Sequence, residues 1–398
     1  MDANFFSAKR PWSRYKDYLL QSYLEPYIPK VNRLGKPILI VDCFAGRGRF
    51  EDDSPGSPLI IAEAVRRWRG QNVPVTARCT EADPENFAIL QSVLASHQDY
   101  VQATLGTFDE TLPGLEQEAK QNTVFLYVDP YSVKGLHFDR MKRVYNQIRT
   151  SSSSVEALMN FNVAIFMRWA LAAVKRWEEL PAKDEFESMA DDPDERVERD
   201  ELSGIAGGNY WIKIAEDSSL DFNEKLNRFL DEYEQRMLGS FTYVTRFAVK
   251  EKYHHTIPKY VLIFATRHPD GVRLMNDFMC KARRAFVSDQ FEEVNRSALF
   301  DLTPAEEKVE PEELSSAIME IVRKSSPITR LDVQLTLFLK GFFARITEAE
   351  INGCITDLLK AKRLQSSTGS VRINNEVTLT VLDGLSTQRS LFDQLSDP

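Results

Sequence analysis

Cysteine is scarce in this chain, and what there is stands apart. The four cysteines, Cys43, Cys79, Cys280 and Cys354, form no C-x-x-C pair, and of the five histidines only His254 and His255 are adjacent. Neither pattern has the ligand spacing of a zinc site or the framework of a disulfide-stapled domain, so a reduced protein without a metal is expected. Long apolar runs are missing too. The start, MDANFFSAKRPWSRYK, has no apolar h-region, and the most apolar later run, Val163 to Val174, is interrupted by Arg168. That patterning predicts neither secretion nor a membrane span, and a cytoplasmic location is the expectation. The phosphate-cradling pattern G-x-x-x-x-G-K-[ST] is absent, as is G-x-G-x-x-G, which argues against P-loop and dinucleotide chemistry.

Positive charge is in deficit. A formal net charge of −9 argues on its face against a nucleic-acid partner, because phosphate binding draws on clustered Lys and Arg. The average hides an asymmetry. Much of the acid lies in Glu178 to Glu201, which reads as an exposed insertion. AKRPWSRYK, Arg66 to Arg69, Asp139 to Arg143 and Lys250 to Lys259 are basic with aromatics between. A local basic face stays open, as does the plainer reading of solvated helix faces.

What is present is ample apolar material: 398 residues, 43% hydrophobic, enough for a large core and two or three domains. The chain is organised around Pro37 to Phe50, PILIVDCFAGRGRF. Ile38, Leu39, Ile40 and Val41 look like a buried parallel strand, Asp42 closes it, and Gly46 and Gly48 allow a tight loop and a close approach to a ligand. In doubly wound sheets ligands bind beyond the carboxyl ends of the strands. The loop D-x-F-A-G-x-G, with Phe44 and Ala45, fits an S-adenosylmethionine pocket better than a dinucleotide one; alone it could equally be a glycine turn after a core strand.

In chain order, Trp12 to Val31 predicts a helix ended by Pro26 and Pro29. Val75 to Thr80 predicts a second strand that delivers Glu81 and Asp83, an acid placed to hold ribose hydroxyls. Tyr100 to Thr104 leads to Gly106, Thr107, Phe108 and Asp109, where an adenine-binding group is expected. Thr123 to Val128 is a strong buried strand running into Asp129, Pro130, Tyr131 and Ser132. A rigid proline turn, an acceptor and a π face are what an extruded base needs, although an Asp-Pro turn after a strand is also common. Asn160 and Arg168 are candidates to line the same pocket or ordinary residues of a crossover segment.

The order of KDYL, VDCFAGRGRFEDDSPGSPL, TEADPENF, YVDPYSVKGL, LMNFNVAIFMRW, GNYWIKI and PKYVLIFATRHPDGVRLMNDFM resembles the three-Cys-motif partner family (TcmP) of methyltransferase-like proteins, over roughly residues 12 to 300. The resemblance implies a Rossmann-like fold, S-adenosyl-L-methionine as cofactor and, often, a separate partner with three cysteines. It places Asp42, Phe44, Ala45, Gly46 and Gly48 in the cofactor loop, Glu81 at the ribose, and Asp129, Pro130 and Tyr131 in the catalytic turn. Ser132 departs from an expected glycine, and Thr107 from a common carboxylate, which leaves Asp109 as the candidate for the adenine contact. The turn is also similar to the DPF and DPPY turns of guanine-N2 and adenine-N6 enzymes, which points to methylation at nitrogen. No cysteine follows a proline, as a cytosine-C5 nucleophile would require.

The expected domains are 1–302, a Rossmann-like methyltransferase domain with the acidic insertion at 178–201; a linker, 303–313; a winged helix-turn-helix, 314–382; and a flexible tail, 383–398. The second domain reads as helices Leu314 to Lys324, Ile328 to Lys340 and Thr347 to Arg363, the last with a Thr347/Glu350 capping box, and a hairpin over Ser367 to Val381. Its third helix, with Asn352, Lys360, Lys362 and Arg363, is expected to meet a nucleic-acid groove, with protein docking as the alternative. In the tail, Gln388, Leu391 and Phe392 resemble a sliding-clamp peptide or fold back onto the chain itself. Two functions follow: a methyltransferase acting on an exocyclic amine of a nucleic-acid base, DNA favoured over RNA, or a cofactor-fold binding protein that serves a three-cysteine partner.

Overall fold

A computed structural model describes residues 11–149, 154–181, 197–250, 255–296 and 309–382. Residues 182–196 of the acidic stretch, 303–308 of the expected linker, and the tail with Gln388, Leu391 and Phe392 lie outside them.

Seven strands form the central sheet: β1 (Ile38–Asp42), β2 (Val75–Glu81), β3 (Val101–Leu105), β4 (Thr123–Val128), β5 (Val155–Phe161), β6 (Tyr243–Val249) and β7 (Tyr260–Thr266). Their order is β3-β2-β1-β4-β5-β7-β6. The first five are parallel, while β7 runs antiparallel to both β5 and β6. This mixed, mostly parallel α/β sheet, with helices on both faces, is a Rossmann-like arrangement. The strands β1, β4 and β7 are buried at every position, as sequences without polar alternation require of strands covered on both faces.

Helices cover both faces. On one side lie α1 (Pro11–Asn32), α2 (Ser57–Arg69) and α3 (Pro84–Val93); on the other, α4 (Phe108–Ala119), α5 (Phe138–Arg149), α6 (Val163–Ala173), α7 (Arg199–Ala206), α8 (Tyr210–Glu216) and α9 (Phe222–Met237). The long α10 (Pro269–Arg296) returns to the α1 side. The helix expected over Trp12 to Val31 forms to within one residue at each end, but Pro26 and Pro29 lie inside it and do not end it. Two interior prolines oppose a helix by about 3 kcal/mol each. Opposing them, Leu19, Leu20, Tyr23, Leu24, Tyr27 and Ile28 are all buried here, and burial of a large apolar side chain contributes about 1.5–3 kcal/mol.

The C-terminal part holds α11 (Pro311–Ser325), α12 (Arg330–Leu337) and α13 (Glu348–Lys360), with a small antiparallel sheet of β8 (Ile328–Thr329), β9 (Leu364–Ser366) and β10 (Thr378–Val381) in the order β8-β10-β9. The capping box at Thr347 and Glu350 forms as expected. The second helix starts two residues later than expected, because Ile328 and Thr329 pair with β10 and Thr329 then caps α12 through Asp332 N. The first starts earlier, at Pro311, with Glu312 and Glu313 in its first turn. These helices share one apolar core with α1, α10 and the sheet.

Candidate functional site

Register brings the candidate residues together. Asp42 lies opposite Cys79 on one side and Tyr127 on the other, and Val128 lies opposite Met159, so the loop after β1, the end of β2, the turn after β4 and Asn160 on β5 meet at one edge of the sheet.

The loop is built by its glycines. Gly46 and Gly48 have φ of +61° and +76°, a left-handed backbone that side chains disfavour. A Cβ on Gly48 would also stand 3.0 Å from Leu90 Cδ1. The Gly46 N–H donates to Glu81 Oε2 at 2.8 Å, and the Asp83 N–H donates to Glu81 Oε1 at 2.8 Å. Glu81 therefore sits against the glycine loop, while Asp83 caps α3 by accepting from Glu85 N and Asn86 N. The Ala45 N–H donates to Thr80 O at 2.8 Å and pins the loop to β2.

Asp42 is fully buried. Phe44 N–H donates to its Oδ1 at 3.3 Å, and its Oδ2 has no hydrogen-bond partner among the described residues. Burial pushes its carboxyl up to about 7; hydrogen bonds from Ser57 and Phe44 oppose this, and the charges of Asp129 and Glu81 add to it. A buried, unsatisfied carboxylate oxygen beside a glycine cradle and a partly exposed Glu81 is an arrangement that fits a ligand with an amino group and ribose hydroxyls. The Phe44 ring closes the other wall: a Cβ on Gly135 would stand 2.9 Å from it and 3.1 Å from Pro130 Cβ, so Gly135 lets the loop and the turn pack together.

In the turn, Asp129 is surrounded by donors. Lys16 Nζ on α1 donates to Oδ1 at 2.7 Å and to Oδ2 at 2.6 Å, Asn160 Nδ2 donates to Oδ1 at 2.6 Å, and Tyr127 OH donates to Oδ2 at 3.2 Å. Burial and the Asp129 charge push the Tyr127 phenol well up, which keeps it a donor. Lys16 also stands 5.4 Å from the centre of the Tyr260 ring. Tyr131, two residues after Asp129, is 38% exposed.

Not every candidate joins the cluster. Asp109, in the first turn of α4, pairs with Arg140 on α5. Thr107 caps α4 in a capping box with Glu110. Arg168 lies within α6. Lys16 is a site residue that no motif marks, but its position carries a signal: it shares the helical stripe of Leu19, Leu20, Tyr23 and Tyr27, a lysine on the apolar side of a buried helix. Among the described residues no group of three His, Cys, Asp or Glu could hold a metal ion, and no helix is long and apolar enough to cross a membrane.

No protein-family model matches this chain, and no curated protein matches it. Among solved structures it is similar to a putative caffeoyl-CoA O-methyltransferase from Staphylococcus aureus, at 8% identity over 61% of this chain and 81% of that one, with a TM-score of 0.29. It is also similar to the plantazolicin methyltransferase BamL in complex with a triazolic desmethylPZN analog and SAH, at 14% identity over 64% and 85%, with a TM-score of 0.30. A third likeness is to protein LPL1258 of Legionella pneumophila, at 15% identity over 42% and 76%, with a TM-score of 0.30. These are distant likenesses that carry neither family nor activity, and the resemblance to the three-Cys-motif partner family rests on its motifs alone.

Proposed function

We propose that this protein is an S-adenosylmethionine-dependent methyltransferase acting on an exocyclic amine of a nucleic-acid base, with DNA favoured over RNA. The observation that supports this best is the meeting of Asp42, Glu81 and Asp129 at adjoining strand ends, with Asp129 ringed by Lys16, Tyr127 and Asn160.

S-adenosylmethionine supplies an electrophilic methyl group on a positively charged sulfur. In this reading Asp42 and the Gly46–Gly48 loop hold its amino-acid end, Glu81 accepts from the ribose hydroxyls, and Asp109 stands on the adenine side. The Asp129 carboxylate accepts a hydrogen bond from the amine and aims the nitrogen, Pro130 fixes the turn, and Tyr131 stacks on the base. A carboxylate offers about four lone-pair sites, and Lys16, Asn160 and Tyr127 already use them, so the amine replaces the Lys16 ammonium as donor. The C-terminal helices and small sheet are read as a winged helix-turn-helix that holds the substrate.

That saturation of Asp129 also favours a second reading, in which the site binds the cofactor but transfers nothing and the chain serves a three-cysteine partner. Calorimetric titration with S-adenosylmethionine, followed by tritiated methyl transfer to host DNA and RNA, separates the two. Cofactor binding with label in a base supports the methyltransferase. Binding without label supports the second reading, and absence of binding rejects both.

A further inference from the structure

The sequence draws attention to the basic residues at the end of α13, which are exposed. Lys360 Nζ lies 3.4 Å from the Asp357 carboxylate, and Arg363 reaches Ser315 Oγ on α11 at 3.4 Å. Earlier turns of the same helix face a different feature. A groove of about 390 Å³ opens between the start of α12, the Asn352 and Thr356 face of α13, and the loop from 367 to 377 that joins β9 to β10.

No carboxylate lines this groove, and two arginines do. Arg330 is fixed from behind: its N–H donates to Val377 O at 3.0 Å, its Nη2 donates to Asn375 Oδ1, and its Nε is enclosed without an acceptor among the described residues. No carboxylate among the described residues pairs with Arg330, and burial lowers its proton affinity, with Glu348 and Arg273 acting in opposite directions. A guanidinium held in place on a groove wall, with no carboxylate paired to it among the described residues, suits an oxyanion. Arg372 faces it from the exposed loop, also with no ion pair among the described residues. Asn352 Oδ1 accepts from Gln334 Nε2 at 2.9 Å, which leaves the Asn352 amide nitrogen as a further donor on the wall.

The loop is shaped rather than slack. Gly369 takes φ +69°, Ser366 Oγ donates to Ser370 O at 2.6 Å, and Asn374 Oδ1 accepts from Glu376 N at 3.0 Å and Val377 N at 3.2 Å. It presents Val371, 41% exposed, beside Arg372. Cations, neutral donors and a small apolar contact along an open groove suit a sugar-phosphate strand: phosphate to the guanidinium groups, sugar to the aliphatic side chain.

We propose that the groove between Arg330, Asn352 and Arg372 is a phosphodiester-binding site that seats the backbone of duplex DNA. The proposal rests on the nucleic-acid reading above and gives it an address on the chain. The site takes its affinity from phosphate neutralisation, so binding through it falls with salt.

The test is fluorescence anisotropy of full-length protein with a labelled random-sequence DNA duplex, without methyl donor, across a salt series. Arg372→Glu is the principal variant because its side chain is exposed. Arg330→Gln, checked for an unchanged thermal melt, is the second. Each is expected to weaken binding about tenfold and to lower the slope of log K against log salt by about one, as removal of one phosphate contact does. Lys120→Ala, an exposed lysine outside the groove lining, is expected to bind as the wild type does. Wild-type affinity and slope in Arg372→Glu, or inorganic phosphate competing as well as the duplex does, overturns the proposal. Transfer RNA that depends on Arg372 when the duplex does not overturns the choice of DNA. Tritium transfer to DNA by an Arg372→Glu protein with normal binding would sink the groove and leave the methyltransferase reading intact; no transfer and no nucleic-acid binding by the wild type would sink that reading itself.

Discussion

Replacing Lys16 by methionine tests the architecture of the site without requiring a substrate. Methionine keeps an unbranched apolar stem but removes the ammonium that lies 2.7 and 2.6 Å from the two Asp129 oxygens. The pair is neither superficial nor fully enclosed: the side chains are 14% and 21% exposed. A hydrogen bond to a charged group contributes about 1.5–3 kcal/mol, and breaking a wholly buried pair costs about 3–5 kcal/mol. With residual screening, and with Tyr127 and Asn160 still donating to the carboxylate, about 2 kcal/mol is expected for Lys16→Met. Asp129→Asn removes the partner charge, and in the double variant much of the loss is expected to return, a coupling of about 1–2 kcal/mol. Urea unfolding at neutral pH, followed by circular dichroism for the four proteins, measures it. Additivity within about 0.3 kcal/mol would mean that the contact does not organise the turn, and the positioning argument would fall.

Glu81→Ala is expected to weaken S-adenosylmethionine binding by about 1–3 kcal/mol by calorimetry, through loss of charged hydrogen bonds, and unchanged affinity would remove Glu81 from the ribose. Asp129→Ala should keep cofactor binding and lose most label transfer, whereas Tyr131→Ala should mainly raise the substrate concentration required; full transfer by the Asp129 variant rules the turn out. Glu156 is buried, accepts from Tyr23 OH and from Thr266 Oγ1 at 3.0 Å, and burial pushes it up to about 7. Because its folded value exceeds its unfolded one, the native state binds the extra proton, so this contribution is full below about pH 4 and is lost as pH rises through about 7. Urea midpoints at pH 5 and pH 8 should differ less in Glu156→Gln than in the wild type, and an equal difference refutes this. Gly207→Ala should destabilise by several kcal/mol, of order 3, since φ there is +69° and the new Cβ would meet Phe138 Cδ1 at 2.4 Å; a melt within a degree or two of wild type would contradict that geometry.

Much of the sheet was legible because its central strands are uninterrupted apolar runs. Thr123–Val128 and Tyr260–Thr266 fall where the residues alone put them, and the Thr347 capping box announces α13. The neighbourhood of Asp129 was only half legible. Pro130 and Tyr131 follow it in sequence, and Asn160, 31 residues away, is a candidate for the same pocket, but Lys16 lies 113 residues away with nothing local to join it to Asp129. Their meeting depends on strand order and register, which no local pattern encodes. The prolines of α1 misled for the same reason, since local propensity speaks against a helix that tertiary burial sustains. Likewise the contact of Arg363 with Ser315 on α11 depends on the packing of two helices and has no local signal.

The grip of α10 on the C-terminal helices has a metric consequence. Arg273 pairs with Glu348, Asn276 accepts from Ala344 N at 2.9 Å and donates to Ile346 O at 2.8 Å, Asp277 accepts from Glu348 N at 2.9 Å, and Arg284 pairs with Glu350. These contacts, on top of a shared core, make α10 a ruler rather than a tether. A polymer seated against α13 would present to Asp129 only the unit that falls one fixed span away, so spacing along the polymer, as well as its chemistry, would choose the target.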